Sequence, residues 1–403
     1  MKKTLFLFIY FASTLFMCGQ QAKIDSLNTL LKNTNELDKR LDLFEALTKE
    51  LFYIDIEAYL PLTDSIIKNA KKVNNTKKLA LGYNAKGRYY FRQTNVKEAK
   101  KYYLMAISLY KTWNDSIKIA SIYSNIGGVY LNASEIDSAK HYLNKALEIN
   151  EPLKDYTNLF FDYYNLGVAE SINNQSERAS HYIIKALHSA EKINNKRYIA
   201  HSTGLLGVLY MEQQVYDKAK LYLEKALVVL KELEDNIGMG NQYINLGKLY
   251  NESTQDYNKA ITYYKEAAKL FGNSEHTMLL SVALGNTGRN YIKLNQLDSA
   301  KHYIQNALKL SREVKNKPEI GRSLTNLAEI ALKENRLSKA NRLINEALRI
   351  TDNNDYLEDY AEALHIKANI NKTQQNYKEA YLTLVKAQAI TDSINSVEKL
   401  EKI

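Results

Sequence analysis

Much of what marks a disulfide-rich, turn-rich or membrane-embedded protein is missing from this chain of 403 residues. It has a single cysteine, Cys18, which excludes an internal disulfide and any thiol pair. Three prolines in the whole chain leave room for long uninterrupted helices and argue against a β-sandwich. No run of like charge resembles a nucleic-acid arm: 55 basic and 45 acidic residues are interspersed, and the formal net charge of +10 reads as a solvated surface. The stretches that carry common chemistries are also missing, with no Gly-rich phosphate loop after a strand, no HExxH and no Ser-His-Asp order. GMGNQYINLGK (238–248) offers a GxG, but it opens a helical pattern instead of following a strand. These absences point to a binding protein and not to an enzyme, with no cofactor and no nucleic-acid partner expected.

What is present begins with MKKTLFLFIYFASTLFMCG, two lysines followed by an apolar run and small residues. That layout is a secretory signal peptide over 1–19, too short for a membrane span, and no comparable apolar run follows. The mature chain is therefore expected to be soluble, exported and periplasmic. A second reading makes Cys18 a lipid-anchored residue, since Leu15 stands three positions before it; Met17 counts against this. Membrane contact is expected only with that anchor, or if the chain is part of a membrane-anchored protein.

IDSAKHYLNKALEI begins at residue 136 and LDSAKHYIQNALKL at residue 297. The separation is four steps of forty plus one. Gly87, Gly127, Gly167, Gly207 and Gly247 follow one another at forty; Gly288 is one late, and Ala328 and Ala368 resume the step. Twelve residues on stand Ala99, Ala139, Ala179, Ala219, Ala260, Ala300, Ala340 and Ala380, and seven further Ala106, Ala146, Ala186, Ala226, Ala267, Ala307, Ala347 and Ala387. The delay at Ala260 locates an inserted residue near STQDY (253–257). Each unit carries apolar residues at helical spacing, a short polar stretch, and a second helical segment, so the unit is a helix hairpin. Glycine costs about 1 kcal/mol in a helix relative to alanine. Its recurrence therefore implies close approach of the paired helices.

A small residue, tyrosine three later, and alanines at twelve and nineteen resemble the tetratricopeptide repeat (TPR). Tyr90, Tyr130, Tyr210, Tyr250 and Tyr291 fill the tyrosine position, from which Glu170, Ala331 and Asn371 depart; Ile126, Leu166, Leu206, Leu246 and Leu327 fill the preceding leucine. Tyr83, Tyr123, Tyr163 and Tyr243 replace the usual tryptophan, and only Pro152 stands near the usual closing proline. The lengthened repeat is similar to those of kinesin light chain and bacterial peptide-sensing regulators. In layout the chain resembles the extracytoplasmic repeat region of Bacteroidetes-type signalling proteins. The resemblance implies an all-α, right-handed superhelical solenoid of antiparallel hairpins. The expected organisation is a signal peptide (1–19), an N-terminal capping helix (20–37), a degenerate first repeat (38–77), eight repeats (78–398) and a helical C-terminal end (399–403).

More than half of the 31 tyrosines stand at four framework positions, those of Tyr83, Tyr90, Tyr102 and Tyr103, which core packing explains. His141, His181 and His302 occupy one equivalent position in different hairpins. Packed helices lie about 8–10 Å apart, too far for these rings to share a zinc ion with ligands at about 2 Å, so no metal site is expected.

The remaining candidate is the concave groove that the TPR resemblance implies, lined by first helices. Two residues before the small residue stand Ala85, Asn125, Asn165, Leu205, Asn245, Asn286, Asn326 and Ile366. An amide offers donor and acceptor together, so the row of Asn125, Asn165, Asn245, Asn286 and Asn326 can pair with the backbone of an extended peptide. It can equally be framework bonded to the next repeat. The other groove positions hold Arg88, Arg92, Lys248, Arg289, Lys293, Arg322, Lys333 and Lys372 against Glu212, Glu252, Glu329 and Glu362, a mild excess favouring an acidic segment or a carboxyl terminus. The carboxylate clamp of chaperone-binding repeats is not matched. The expected partner is a protein or extended peptide, and the expected role a periplasmic sensor or adaptor in signalling. The alternative is a structural envelope scaffold anchored at Cys18.

Overall fold

A computed structural model of the chain describes residues 14–52, 54–272, 276–352 and 356–400. The described residues form 19 helices and no strand. Three helices come first, α1 (Thr14–Asn33), α2 (Leu37–Leu51) and α3 (Ile56–Lys72). Hairpins follow: α4 (Thr76–Arg92) with α5 (Val96–Lys111), α6 (Ser116–Asn132) with α7 (Ile136–Leu153), and α10 (Lys196–Glu212) with α11 (Tyr216–Glu232), with the helices α8 (Tyr156–Ile172) and α9 (Ser176–Lys192) between the last two in the chain. The last four are α12 (Asn236–Ser253) with α13 (Tyr257–Gly272), α14 (Thr277–Lys293) with α15 (Leu297–Glu313), α16 (Lys317–Lys333) with α17 (Leu337–Thr351), and α18 (Leu357–Thr373) with α19 (Tyr377–Leu400). Residues 1–13, most of the expected signal peptide, and residues 401–403 lie outside the described residues, as does the side chain of Cys18.

The connectors explain the metre. Non-glycine residues with left-handed φ occur at Asn74, Thr94, Asn114, Ser134, Lys154, Asn174, Asn194, Gln214 and Glu234, one every twenty residues, each just past a helix end. The next is Gln255, twenty-one on, after which the step resumes at Asn295, Lys315, Asn335 and Gln375. Helix α12 is 18 residues long where α4, α6 and α10 are 17, so the inserted residue extends the end of α12. At most of these turns the following amide reaches back across the helix end: Asn95 N donates to Tyr90 O at 3.0 Å, Glu135 N to Tyr130 O at 2.9 Å and Gln296 N to Tyr291 O at 2.9 Å. This Schellman bond satisfies a terminal carbonyl. The donor residue then takes the N-cap position of the next helix, and at Asn95 its side chain also accepts from Glu98 N at 3.1 Å, a bond that Glu135 and Gln296 do not make. One residue ends a helix and starts another.

The described part of the chain divides into two compact units, residues up to 169 with 188–193, and residues 170–187 with 194 onward. In both, the alanine columns form the contact between helices: Ala99, Ala139, Ala219 and Ala300 are fully buried, as are Ala106, Ala146, Ala226 and Ala307. The glycine column explains itself equally. A methyl built on Gly207 would lie 2.5 Å from Leu223 Cδ2, and one on Gly247 would lie 2.7 Å from Tyr264 Cε1. Gly87, Gly127, Gly207, Gly247 and Gly288 are each the floor under a large side chain four residues past the first alanine. Burying that side chain contributes about 1.5–3 kcal/mol, which offsets the roughly 1 kcal/mol that glycine costs the helix.

Tyrosines join the hairpin arms. Tyr90 stacks on Tyr102 with centroids 5.6 Å apart, Tyr130 on Tyr142 at 5.7 Å, Tyr210 on Tyr222 at 5.4 Å, Tyr250 on Tyr263 at 5.5 Å and Tyr291 on Tyr303 at 5.5 Å. Lysines close over several of these pairs: Lys259 lies 4.2 Å from the Tyr250 centroid, and Lys218 5.2 Å from that of Tyr210. The tyrosines are framework, contributing both packing and cation–π attraction.

Candidate binding face

The asparagine row occupies one register on successive first helices. In the C-terminal unit it comprises Asn245 on α12, Asn286 on α14 and Asn326 on α16, flanked by the buried Leu205 on α10 and by Ile366 on α18. In the N-terminal unit Asn125 on α6 and Asn165 on α8 hold the same register, with Ala85 on α4. Four of the five are half-buried, and Asn326 is 3% exposed. A framework role requires amide bonds to the neighbouring repeat. Among the described residues none of the five amide side chains makes a hydrogen bond, although other polar groups nearby do, such as Thr287 with Ala283 O at 2.8 Å and Asn290 with Asn286 O at 2.9 Å. The five amides keep donors and acceptors for something else.

The basic candidates divide. Arg88 and Arg92 face inward to Phe52, with guanidinium carbons 3.8 and 5.5 Å from the ring centroid, and Arg92 also donates to the Phe52 carbonyl. They are used to attach α4 to the end of α2. Lys248 and Lys333 pair along their own helices with Glu252 and Glu329, each at 3.6 Å. The Glu212 carboxylate accepts from Ser176 at 2.8 Å. Lys293, Lys372 and Glu362 are exposed.

Arg289 and Arg322 stand in a charged cluster that the sequence reading did not assemble. Arg322 Nη2 lies 3.3 Å from Glu319 Oε2, and its Nε 3.8 Å from Asp359 Oδ1, so α16 and α18 are tied by charge. Glu319 is only 3% exposed. Burial raises its pKa, and the Arg322 and Arg289 charges pull it back in part; Asp359 is raised by burial and restrained by the same two arginines. For Arg322 burial works against the charge, and Glu319 with Asp359 outweighs it, leaving its pKa raised. Arg289 has no carboxylate within 4 Å among the described residues, and its Nε is buried without a hydrogen-bond partner. Arg289 is one turn along α14 from Asn286. One guanidinium with unused donors thus stands beside the amides of the row, a pairing suited to a carboxylate-bearing backbone.

In the N-terminal unit Asp162 is fully buried. Its Oδ1 accepts from the Ser124 hydroxyl and its Oδ2 from Asn150 Nδ2 at 2.7 Å. Burial raises its pKa to about 7, against the pull of those two donors. No group of three or more metal-ligating side chains lies together among the described residues, and no described helix is long and apolar enough to cross a membrane. The sequence signal for Asp162 was a column: the equivalent positions hold Gly82, Ile122, Ser202 and Ala283, where a carboxylate is out of place.

Hairpins of this length, register and alanine contact decide the family. The tetratricopeptide repeat family matches residues 78–151, 198–273 and 279–353, more than half of the chain. The chain belongs to the TPR family. No curated protein matches it by sequence. Among solved structures, the TPR protein is similar to the apo form of the quorum sensor NprR from B. thuringiensis, with 14% identity and a TM-score of 0.63 over 88% of this chain and 100% of that one. It is similar to aspartyl phosphate phosphatase F from Bacillus subtilis, with 15% identity and a TM-score of 0.62 over 95% and 96% of the two chains. A Rap protein complexed with Competence and Sporulation Factor matches at 16% identity and a TM-score of 0.57, over 89% and 99%. At these identities the likeness is one of fold.

Proposed function

We propose that this TPR protein is an exported, non-catalytic scaffold that binds an extended protein or peptide segment along its first helices, as a periplasmic sensor or adaptor in signalling. The observation that carries the reading is the set of unbonded amides at one register, Asn245, Asn286 and Asn326 in one unit and Asn125 and Asn165 in the other. Solved relatives in fold support it, since one is a quorum sensor and another was crystallised with Competence and Sporulation Factor. The unpaired Arg289 favours a ligand with a carboxylate near the Asn286 amide. A partner captured from envelope extracts supplies the test. Asn245→Ala with Asn286→Ala should weaken its binding about five- to a hundredfold at about 0.5–1.5 kcal/mol per amide, with an unchanged melting temperature. A framework role gives the reverse, a lower melting temperature with affinity per folded molecule retained.

Export is tested separately by the mass of the mature chain, expected to begin near Gln20. The second reading, an envelope scaffold anchored at Cys18, rests on Leu15 in LFMCG and requires a diacylglyceryl group on that cysteine. Retention of Met1 would rule out both.

A further inference from the structure

The tyrosine pair is missing from the last two hairpins, where Ala331 and Leu343 stand in one and Asn371 and Thr383 in the other, and in the first of these something else has been built in its place. In α14 and α15, Tyr291 stacks on Tyr303, and Lys265 of α13 lies 5.3 and 5.4 Å from the two centroids while donating to the Tyr291 hydroxyl at 2.9 Å. Forty residues after these three stand Ala331, Leu343 and Gln305. Both rings and the covering lysine are gone from α16 and α17. A cleft of about 470 Å³ opens there, bounded by α15, α16 and α17. Leu308, Leu327 and Leu343 line it, each at 8–9% exposure, and Gln305 stands at its edge.

The remaining lining residues are all cations: Lys309, Arg312, Lys339 and Arg342. At the preceding hairpin the corresponding positions hold Lys269, Gly272, Ser299 and His302, and at the following one Arg349, Asp352, Glu379 and Leu382. Of the two hairpins that lack both rings, only the one formed by α16 and α17 carries the fourfold cation set. Arg312 is paired with Glu346 at 2.7 Å. Lys309, Lys339 and Arg342 have no carboxylate partner among the described residues, and no carboxylate lines the cleft. Like charges gathered around an apolar floor repel one another unless an anion sits among them. None of these residues belongs to the asparagine row or the Arg289 cluster.

We propose that this cleft is a binding site for an aromatic organic anion. The ring lies on the three leucines, over the Leu343 position that Tyr303 fills in the preceding hairpin, and the anionic group meets Lys309, Lys339 and Arg342. The volume falls in the range of small-molecule sites, about 300–1,000 Å³, and the lining has their usual make-up of apolar walls with a few convergent polar groups. Because the cations are largely exposed, binding weakens as salt rises.

The test is a fluorescence titration of the full chain with anilinonaphthalene sulfonate, an aromatic anion that brightens on apolar contact. Two double variants give this hairpin the residues of its predecessor: Ala331→Tyr with Leu343→Tyr refills the cleft, and Lys339→Ser with Arg342→His removes two cations. Wild type should bind one dye per chain at this site, more weakly in high salt, and each double variant should lose at least tenfold in affinity. The exposed Ser/His variant keeps the fold intact and decides the matter alone if the Tyr/Tyr variant melts early. Dye binding to the Ser/His variant equal to wild type overturns the proposal, as does wild-type binding that salt leaves unchanged.

Discussion

Asn150 Nδ2 donates to Asp162 Oδ2 at 2.7 Å across α7 and α8, inside a core where no cation among the described residues balances the carboxylate. The second donor is the Ser124 hydroxyl on α6, and the nearest charge with an effect is Asp155, which repels. Three hairpin helices therefore meet on a single acid. Burial lifts its pKa to about 7, while a carboxylate in the unfolded chain titrates near 3.9.

The sign follows from proton binding. The native state holds the Asp162 proton more tightly than the unfolded chain does, so stability is greatest below about pH 4 and declines as pH rises to about 7. Above that the penalty is constant, at most about 4 kcal/mol for a shift of this size. Asp162→Asn removes the charge and keeps the bonds, with the amide oxygen accepting from Asn150 and the amide nitrogen donating to Ser124. The variant should melt higher than wild type at pH 8, by less at pH 5, and be nearly level with it below about pH 4. A pH-independent difference would show that the buried charge is not the cause.

Thr94 concerns the backbone. It has φ of 54°, and a β-branched residue in the left-handed region carries strain of roughly 1–2 kcal/mol. Thr94→Gly relieves it and keeps the Asn95 N to Tyr90 O bond at 3.0 Å. Glycine costs about 0.4–1 kcal/mol through the unfolded chain, so a net gain of up to about 1 kcal/mol is expected. Thr112 supplies the contrast, since it ends α5 with φ of −65°, an ordinary right-handed value. Thr112→Gly should destabilise. Chemical denaturation of the two variants checks the pair, and effects of equal sign would contradict the argument.

The hairpins were legible because each column of small residues answers one physical need. Gly207 under Leu223 and Ala219 in the helix contact are forced by distance, and the forced residue recurs wherever the geometry does. The inserted residue was equally plain, and its place at the end of α12 agrees with the twenty-one-residue step to Gln255. Asp162 stood out only against its column, and Glu319 was not legible at all. A first helix is buried both by its own partner and by neighbouring hairpins, so a polar residue at helical spacing reads as surface when it is in fact inside. Arg88 and Arg92 misled for a related reason. Their partner, Phe52, stands at the end of α2, outside the regular repeats, where no column announces it. The cleft at Leu343 is visible in sequence only as two missing tyrosines, and its basic rim only by comparing one hairpin with the next.

The close approach of Gly207 to Leu223 yields the last prediction. A methyl at Gly207 meets Leu223 Cδ2 at 2.5 Å and the Leu223 backbone nitrogen at 3.1 Å. The side chain can rotate but the backbone cannot, so α10 and α11 must separate. Gly207→Ala should cost about 1–3 kcal/mol through overpacking, despite the roughly 1 kcal/mol by which alanine favours a helix. Leu223→Ala alone should cost about 2–5 kcal/mol through the cavity it leaves. Combined, the two changes are not additive: with the leucine gone, the new methyl occupies part of the cavity and only the backbone contact remains. The double variant should therefore be more stable than the sum of the single changes implies, by at least 1 kcal/mol, a size typical of residues in direct contact. Urea denaturation of the four proteins measures this coupling. Strict additivity would mean that Gly207 does not serve to admit Leu223, and that its place in the column of glycines has another cause.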